Sequence, residues 1–198
     1  NQGETFMAQM IVLGLDGEIA EFCGNGARAV AAYLFSHFPD CEKIFLKSHL
    51  GMIPLLKQGV NRYSVTLPGA NFAVNPKFIT DPKKLGEYRY VETGEPHLTI
   101  EKEMDDETLF HLGKTLNAEK ELFPCGINVN AWHVLKEGHI HVKTYERGVQ
   151  RLTRSCGTGS MACAAIYRGQ DEVAVTTPGG LLNIRFIEEG IELCGEAL

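Results

Sequence analysis

Short runs in which apolar and polar residues alternate recur along the chain and predict a structure built mainly from β-strands. Turn dipeptides such as Glu137-Gly138 and Glu189-Gly190 separate consecutive runs. The predicted strands are Thr5–Leu13, Lys43–Ser48, Ile53–Leu56, Tyr63–Leu67, Arg89–Glu92, Leu98–Glu101, Ile127–Leu135, His139–Tyr145, Glu172–Thr176, Leu182–Phe186 and Ile191–Cys194.

Three segments have a helical pattern instead, at Gly26–His37, Asp106–Asn117 and Gly159–Tyr167. Short strands with few intervening helices do not fit a series of βαβ units, so the pattern predicts an α+β fold rich in antiparallel pairs. Pro68 to Pro76 is predicted to be a linker, because turn-forming residues crowd its first part.

An internal repeat is the most informative feature of the sequence. Residues 23–32, which begin Cys-Gly-Asn-Gly, align with residues 156–165, which begin Cys-Gly-Thr-Gly, and the cysteine, both glycines and three alanines are identical. Residues 48–53 and 177–182 resemble each other at a similar distance downstream. We interpret this as a duplication whose halves are residues 1–70 and 71–194, with residues 195–198 completing the first half. Two such halves facing each other would bring Cys23 and Cys156 to one cleft.

The repeated motif suits inversion of an amino acid at its α-carbon. A glycine-rich turn at a helix start leaves backbone N–H groups without partners, and the helix dipole makes them a site for a carboxylate. The same dipole favours the thiolate form of a cysteine placed there. One thiolate would remove the α-proton while the opposite thiol delivers a proton to the other face. Preorganised N–H donors would stabilise the charge that develops on the carboxylate.

The composition limits the classes of binding partner and the cellular compartment that we expect for this protein. A net charge of −6 without a Lys or Arg cluster argues against nucleic acid and anionic membranes. The longest apolar run, Met7–Leu15, is too short to span a bilayer. We expect a cytoplasmic protein with reduced thiols, because the sequence shows no signal peptide. His139 and His141 share a strand face, which we expect to be solvated rather than metal-binding, since no third ligand is near.

Other interpretations of the motif are weaker. A single buried cysteine at a helix start is usually a small core residue, but the duplication disfavours this for the repeated pair. Cys41, Cys125, Cys163 and Cys194 lack such a turn, and we expect them to be structural. A Cys/His hydrolase with His97 as base leaves the second copy without a role. Residues 157–162 match a dinucleotide fingerprint, but no βαβ unit surrounds them.

At these residues the sequence resembles the diaminopimelate epimerase family of cofactor-independent amino-acid epimerases and racemases. The resembling motifs run in family order over nearly the whole chain. They are Cys-Gly-Asn-Gly-Ala-Arg at 23–28, Gly-Glu-Pro-His at 94–97, Gly-Ile-Asn-Val-Asn at 126–130, Tyr-Glu-Arg-Gly at 145–148, Ser-Cys-Gly-Thr-Gly at 155–159, Thr-Pro-Gly-Gly at 177–180 and Gly-Glu-Ala at 195–197.

The resemblance implies two pseudo-symmetric domains, each a curled, mostly antiparallel sheet around a central helix, with the substrate between them. It implies an isomerase of lysine biosynthesis that converts LL- to meso-diaminopimelate without pyridoxal phosphate, any other cofactor or a metal, often as a homodimer. Cys23 and Cys156 would be base and acid. The implied substrate-binding residues are Gly24, Asn25, Glu95, His97, Asn128, Glu146, Arg147, Gly157 and Thr158.

Several positions depart from the family pattern. Gly14 stands where the family has an asparagine, and Glu95 replaces the asparagine of a Gly-Asn-Pro-His turn. The stretch between Arg147 and Cys156 is one residue longer, and the family's N-terminal strands have no counterpart. An acidic Glu95 would repel a distal carboxylate, which Arg151 and Arg154 would offset only if they point inward. A racemase of another amino acid and a non-catalytic amino-acid-binding homologue therefore remain as alternatives.

Overall fold

The fold was obtained as a computed structural model, which describes residues 6–13, 17, 19, 22–48 and 50–197. The strands are β1 (Phe6–Gln9), β2 (Lys43–Ser48), β3 (Gly51–Gly59), β4 (Arg62–Leu67), β5 (Arg89–Glu92), β6 (Pro96–Glu101), β7 (Asn128–Lys136), β8 (His139–Glu146), β9 (Arg151–Thr153), β10 (Glu172–Thr177), β11 (Gly180–Ile187) and β12 (Gly190–Glu196). The helices are α1 (Gly24–His37), α2 (Asp106–Ala118) and α3 (Gly157–Tyr167), and Pro82–Leu85 forms a short 3-10 helix. Predictions at Thr5, Gly14–Asp16, His49 and Leu198 lie outside the described residues.

The strands form one continuous mixed sheet in the order β1-β2-β3-β4-β12-β11-β10-β8-β7-β6-β5, with β9 paired to β8. Among the strands of the described residues, three pairs are parallel, namely β1–β2, β6–β7 and β8–β10. The other pairs are antiparallel, so the predicted α+β class is confirmed. Strand β12 pairs with β4 from Ile191 opposite Leu67 to Glu196 opposite Arg62. This pairing connects the strands of the two repeats, while a boundary at residue 70 stays a prediction.

The two repeat helices are buried to different extents. Helix α1 buries Ala27, Ala31 and Phe35, which are spaced four residues apart and share one face. Helix α3 is buried on every side from Gly157 to Ala165. Its small side chains allow the surrounding strands to approach the helix closely, as a central helix requires.

In the part of the chain that the structure describes, two apolar cores support the sheet. The larger core combines α1 with β2–β4 and with residues of α3, β7, β8 and β10–β12, including Phe35, Leu55, Met161 and Leu193. The smaller core lies under α2 and includes Leu109, Phe123 and Tyr145. The larger core therefore contains residues from both sequence repeats and holds the two helix starts in place.

Some element boundaries differ from the sequence predictions. Strand β1 ends at Gln9, and its parallel pairing with β2 extends over Ile44–Lys47. Strand β9 and the 3-10 helix were not predicted. The predicted linker is tied to β5 by reciprocal backbone hydrogen bonds between Asn71 and Glu92. Among the described residues, no helix combines the length and apolarity needed to span a membrane.

Candidate active site

Cys23 and Cys156 occupy the same position on two helices, immediately before the first helical residue. Each has an extended backbone and caps its helix with its own sulfur. The Gly26 N–H donates to Cys23 Sγ at 3.2 Å, and the Gly159 N–H donates to Cys156 Sγ at 3.4 Å. Sulfur here replaces the side-chain oxygen that usually satisfies this amide. Helices α1 and α3 therefore begin at Gly24 and Gly157, two residues before their predicted starts.

The two Cys-Gly turns are in contact with each other. A Cβ placed on Gly24 would lie 3.6 Å from the Cα of Gly157, and one on Gly157 would lie 3.5 Å from the Cα of Gly24. The Asn25 Nδ2 group donates to the carbonyl oxygen of Ser155 at 2.7 Å, which ties the first turn to the residue before the second cysteine. The structure thus joins the two helix starts at one junction.

This junction carries backbone positive charge. The first amide groups of a helix have no acceptor within the helix, and here they belong to Gly24, Asn25, Gly157 and Thr158. Neither helix has an acidic residue in its first turn. Because both helix dipoles point their positive ends toward the junction, a small carboxylate is the kind of anion that this place favours.

The two thiols have different surroundings. Cys156 is buried, whereas Cys23 is partly exposed. Burial, the carboxylate of Glu146 and the charge of Cys23 raise the pKa of the Cys156 thiol, while hydrogen bonds from Thr158 and the Gly159 amide oppose the rise. Cys156 is therefore protonated at neutral pH and suits the role of proton donor.

The turn between β5 and β6 contacts both Cys-Gly turns. The Thr93 hydroxyl donates to the carbonyl oxygen of Thr158 at 2.9 Å, and Glu95 Oε1 accepts the Phe22 N–H at 3.2 Å. Gly94 between them has a φ of +84°, a conformation that disfavours any residue with a Cβ. The turn therefore places Glu95 beside the residue that precedes Cys23.

His97 is fully buried behind Thr158. Its Nε2 lies 3.0 Å from Thr158 Oγ1, and its Nδ1 lies 3.1 Å from Asn130 Nδ2. Burial and the nearby charge of Arg147 lower the pKa of His97 to about 3, so the imidazole is neutral. The Cys/His hydrolase hypothesis needs a histidine in contact with sulfur, whereas here His97 bonds the Thr158 hydroxyl.

Glu95 and Arg147 form an ion pair at the edge of the site. Arg147 Nη2 and Glu95 Oε2 are 2.7 Å apart, and the two side chains are 16% and 12% exposed. The guanidinium also lies over the Phe78 ring, 5.0 Å from its centroid, and Nη1 donates to the carbonyl oxygen of Cys125 at 3.4 Å. The guanidinium charge is therefore already paired with a carboxylate of the chain itself.

Asn128 supports this edge of the site. Its Nδ2 donates to the carbonyl oxygen of Pro96 at 2.9 Å, and its Oδ1 accepts the Arg147 N–H at 3.0 Å. Asn128 thus fixes the start of β6 and the turn that carries Arg147. A direct contact between Asn128 and a substrate stays a prediction.

The structure gathers the predicted site residues around the helix junction. These residues are Cys23, Gly24, Asn25, Glu95, His97, Asn128, Glu146, Arg147, Cys156, Gly157 and Thr158. Arg151 and Arg154 are exposed instead. The thiols of Cys23, Cys125, Cys156, Cys163 and Cys194 are free.

Two buried polar residues of this region were missed by the sequence analysis. Arg28 donates to Asn25 Oδ1 at 2.7 Å and to the carbonyl oxygen of Glu196 at 3.0 Å. Asn130 contacts His97 and accepts a hydrogen bond from Thr144 at 2.8 Å. A sequence signal existed in both cases, because an arginine in an alanine-rich helix and an asparagine inside an apolar strand each require a polar partner.

The histidine pair on β8 lies apart from these contacts. His139 Nε2 is 2.8 Å from Thr176 Oγ1, and the His141 ring lies 5.2 Å from the His133 ring. In the described ranges, no three His, Cys, Asp or Glu side chains are grouped as metal ligands.

Comparison with known proteins identifies relatives of this chain. The family model described as diaminopimelate epimerase matches residues 89–197. The diaminopimelate epimerase of Methanocella arvoryzae is 36% identical over 201 residues, which cover 91% of this chain and 70% of that protein. The diaminopimelate epimerase of Thermotoga maritima is 33% identical, covering 91% of this chain and 76% of its own length.

Solved structures with a similar fold are more distant in sequence. A probable proline racemase from Agrobacterium radiobacter aligns with a TM-score of 0.67 and 15% identity, covering 95% of this chain and 68% of that one. A phenazine biosynthesis protein of the PhzF family from Enterococcus faecalis aligns with a TM-score of 0.57 and 14% identity, covering 90% and 71%. At these identities the likeness concerns the fold alone.

Proposed function

The chain belongs to the diaminopimelate epimerase family of isomerases, and we propose that it inverts the α-carbon of an amino acid with Cys23 and Cys156 as its two acid–base groups. The observation that carries this proposal is the contact between Gly24 and Gly157. It puts two helix starts, each capped by a cysteine sulfur, at one place.

The proposed reaction consists of two proton transfers. The Cys23 thiolate removes the α-proton and becomes a thiol, while the Cys156 thiol gives its proton to the opposite face and becomes a thiolate. The amide groups at the two helix starts hold the α-carboxylate and stabilise the negative charge that it gains as the proton leaves. The raised pKa of Cys156 supports its role as the first proton donor. The reverse direction exchanges the two roles.

The substrate that we propose first is LL-diaminopimelate, with meso-diaminopimelate as product, because the relatives named above are diaminopimelate epimerases. This substrate has a second amino and carboxyl group at its far end. In the proposed complex, Arg147 binds the far carboxylate and Glu146 lies near the reacting centre.

The test is formation of the inverted stereoisomer carrying deuterium at its α-carbon, measured in deuterated water with diaminopimelate for wild type, Cys23→Ala and Cys156→Ala. Each single variant is expected to lose at least about 10³-fold in turnover, because inversion needs an acid and a base together. Cys125→Ala changes an exposed thiol and serves as the matched control, with wild-type turnover expected. Wild-type turnover by either active-site variant would rule the proposal out.

A racemase of a different amino acid is the second candidate, and the Glu95–Arg147 ion pair favours it. A far carboxylate would have to share Arg147 with Glu95 and would be repelled by that residue. A substrate ending in a cation or in a neutral donor would instead find a carboxylate able to accept a hydrogen bond.

Glu95→Gln separates the two substrate assignments. Glutamine keeps an acceptor for the Phe22 amide and removes the charge, and Glu95→Asp retains the charge as a control. If the second candidate is right, wild type exchanges lysine or histidine faster than diaminopimelate, and Glu95→Gln shifts the ratio toward diaminopimelate by about tenfold or more. A wild-type preference for diaminopimelate that survives Glu95→Gln would reject it. Binding of these amino acids without any exchange would favour a non-catalytic homologue.

A further inference from the structure

Cys156 lies at the end of a series of buried polar side chains that come from three different elements. Its Sγ is 3.5 Å from Thr158 Oγ1, Thr158 Oγ1 is 3.0 Å from His97 Nε2, and His97 Nδ1 is 3.1 Å from Asn130 Nδ2. Asn130, His97 and Thr158 are 0%, 0% and 4% exposed, so water does not compete for these bonds.

The orientation of the Asn130 amide sets the direction of the series. Its Nδ2 group also donates to the carbonyl oxygen of Leu98 at 2.9 Å, and a carbonyl can only accept. The Nδ2 group can therefore only donate to His97 Nδ1 as well. A neutral imidazole whose Nδ1 accepts carries its hydrogen on Nε2.

The hydrogen on His97 Nε2 then decides what the Thr158 hydroxyl can do. Since Nε2 donates to Thr158 Oγ1, the hydroxyl hydrogen has to point elsewhere, and Cys156 Sγ is the acceptor within reach. A thiolate has no hydrogen of its own and can only accept this bond.

We propose that Asn130, His97 and Thr158 form a directional hydrogen-bond chain that presents the Thr158 hydroxyl as a donor to Cys156 and stabilises the charged form of that sulfur. Thr158 touches the reacting sulfur, while His97 and Asn130 are positioning residues that act through Thr158. The consequence for turnover rests on the proposed function, because it makes the buried Cys156 able to serve as the base in one direction of the reaction.

The hydrogen-bond chain opposes surroundings that otherwise disfavour a thiolate at Cys156. Burial disfavours a negative sulfur at position 156, and so do Glu146 at the end of β8 and Cys23 at the start of α1. Cys163, further along α3, is buried and its thiol pKa lies well above the usual value, so it stays neutral. With Cys23 replaced, alkylation mapped to the peptide that contains Cys156 reports on that sulfur alone.

The test measures how fast iodoacetamide alkylates Cys156 as a function of pH, in a Cys23→Ala background, by mass mapping of the peptide that contains Cys156. Thr158→Val keeps the shape and removes the donor, and we expect it to move the alkylation midpoint upward by about one to two pH units. Thr158→Ser retains the hydroxyl and should keep the original midpoint. His97→Phe should move it in the same direction as Thr158→Val, because Thr158 loses its fixed orientation.

Two results would overturn the proposal. One is an unchanged midpoint in Thr158→Val, and the other is an equal shift in Thr158→Val and Thr158→Ser.

A measurement on the unmutated chain covers the case in which a variant does not fold. Nitrogen NMR of ¹⁵N-histidine-labelled protein should find the His97 hydrogen on Nε2. A hydrogen on Nδ1 would contradict the proposed direction of the hydrogen-bond chain. Neither readout needs turnover, so failure of this inference is distinguishable from failure of the proposed function.

Discussion

Gly24 and Gly157 lie against each other, each within 3.6 Å of where the other would carry a Cβ. Each is the first residue of its helix and directly follows a cysteine. The same contact also includes Leu193 Cδ2, which lies 2.6 Å from a Cβ placed on Gly157 and 3.0 Å from one placed on Gly24. The spacing between the two helix starts therefore depends on both positions lacking a side chain.

Gly157→Ala should destabilise the protein and widen this junction. Leu193 is fully buried and cannot move aside without disturbing the larger core, so we expect a loss of about 1–3 kcal/mol in the free energy of unfolding. Turnover should fall more than stability explains, because the two sulfurs are held by the helices that move apart. Urea unfolding and α-hydrogen exchange measure the two effects.

Two matched glycine variants control for this prediction. Gly24→Ala meets Leu193 at the longer distance and should cost less than Gly157→Ala. Gly59→Ala places its Cβ in open space and should stay within about 0.5 kcal/mol of wild type. An equal loss in all three variants would refute the packing explanation.

Mild oxidation should link Cys23 to Cys156. A disulfide requires Cα atoms within about 7 Å of each other, and contact between the residues that follow the two cysteines favours such an approach. We expect diamide to form this bond first, to abolish turnover, and to be reversed by dithiothreitol. Mass mapping identifies the pair. Oxidation that instead joins the exposed Cys125 first, with turnover retained, would contradict the prediction.

The stability of the protein should fall as the pH drops from neutral because of His97. Its folded pKa is about 3, whereas an unfolded histidine titrates near about 6.5. Between these values the unfolded chain binds a proton that the folded chain does not. The contribution of His97 to the free energy of unfolding is therefore complete at a pH above the unfolded pKa, and it decreases as the pH falls toward the folded pKa. Linkage gives about 1.4 kcal/mol for each unit of pH in this range.

Urea unfolding at about pH 7 and about pH 5 measures this decrease. His97→Gln removes the titrating group and should flatten the difference between the two conditions, whatever its effect on absolute stability. His111→Gln is the control, because the His111 side chain is 68% exposed and its replacement should leave the pH dependence as in wild type. Parallel curves for wild type and His97→Gln would show that other groups cause the decrease.

Glu146→Gln should make Cys156 more reactive. Burial and, after it, the Glu146 carboxylate raise the pKa of the Cys156 thiol, so removing the charge should lower that pKa. We expect alkylation of Cys156 in a Cys23→Ala background to be about tenfold faster at a pH below the midpoint. Glu146→Asp retains the charge and should change the rate less. An unaltered rate in Glu146→Gln would mean that the Glu146 carboxylate does not influence this pKa.

Local patterns in the sequence were sufficient to predict the α+β class and most strands. The alternation in β8 and β11 indicates strands by itself, because side chains of a strand point to opposite faces in turn. The starts of α1 and α3 were placed two residues late because sulfur is not among the usual helix caps. Strand β9 was missed because three residues are too few to show a period.

The sequence by itself determined that two equivalent Cys-Gly turns exist, because aligning the two repeated segments of the sequence is enough to reveal them. Only the tertiary structure decided which side chains surround them. Glu95 pairs with Arg147 across 52 residues, His97 meets Thr158 across 61, and Asn25 meets Ser155 across 130. Such pairs leave no local periodicity, because packing alone brings them together. The protonation states of His97 and Cys156 follow from the same packing, since burial and neighbouring charge shift a pKa in ways that residue type does not encode.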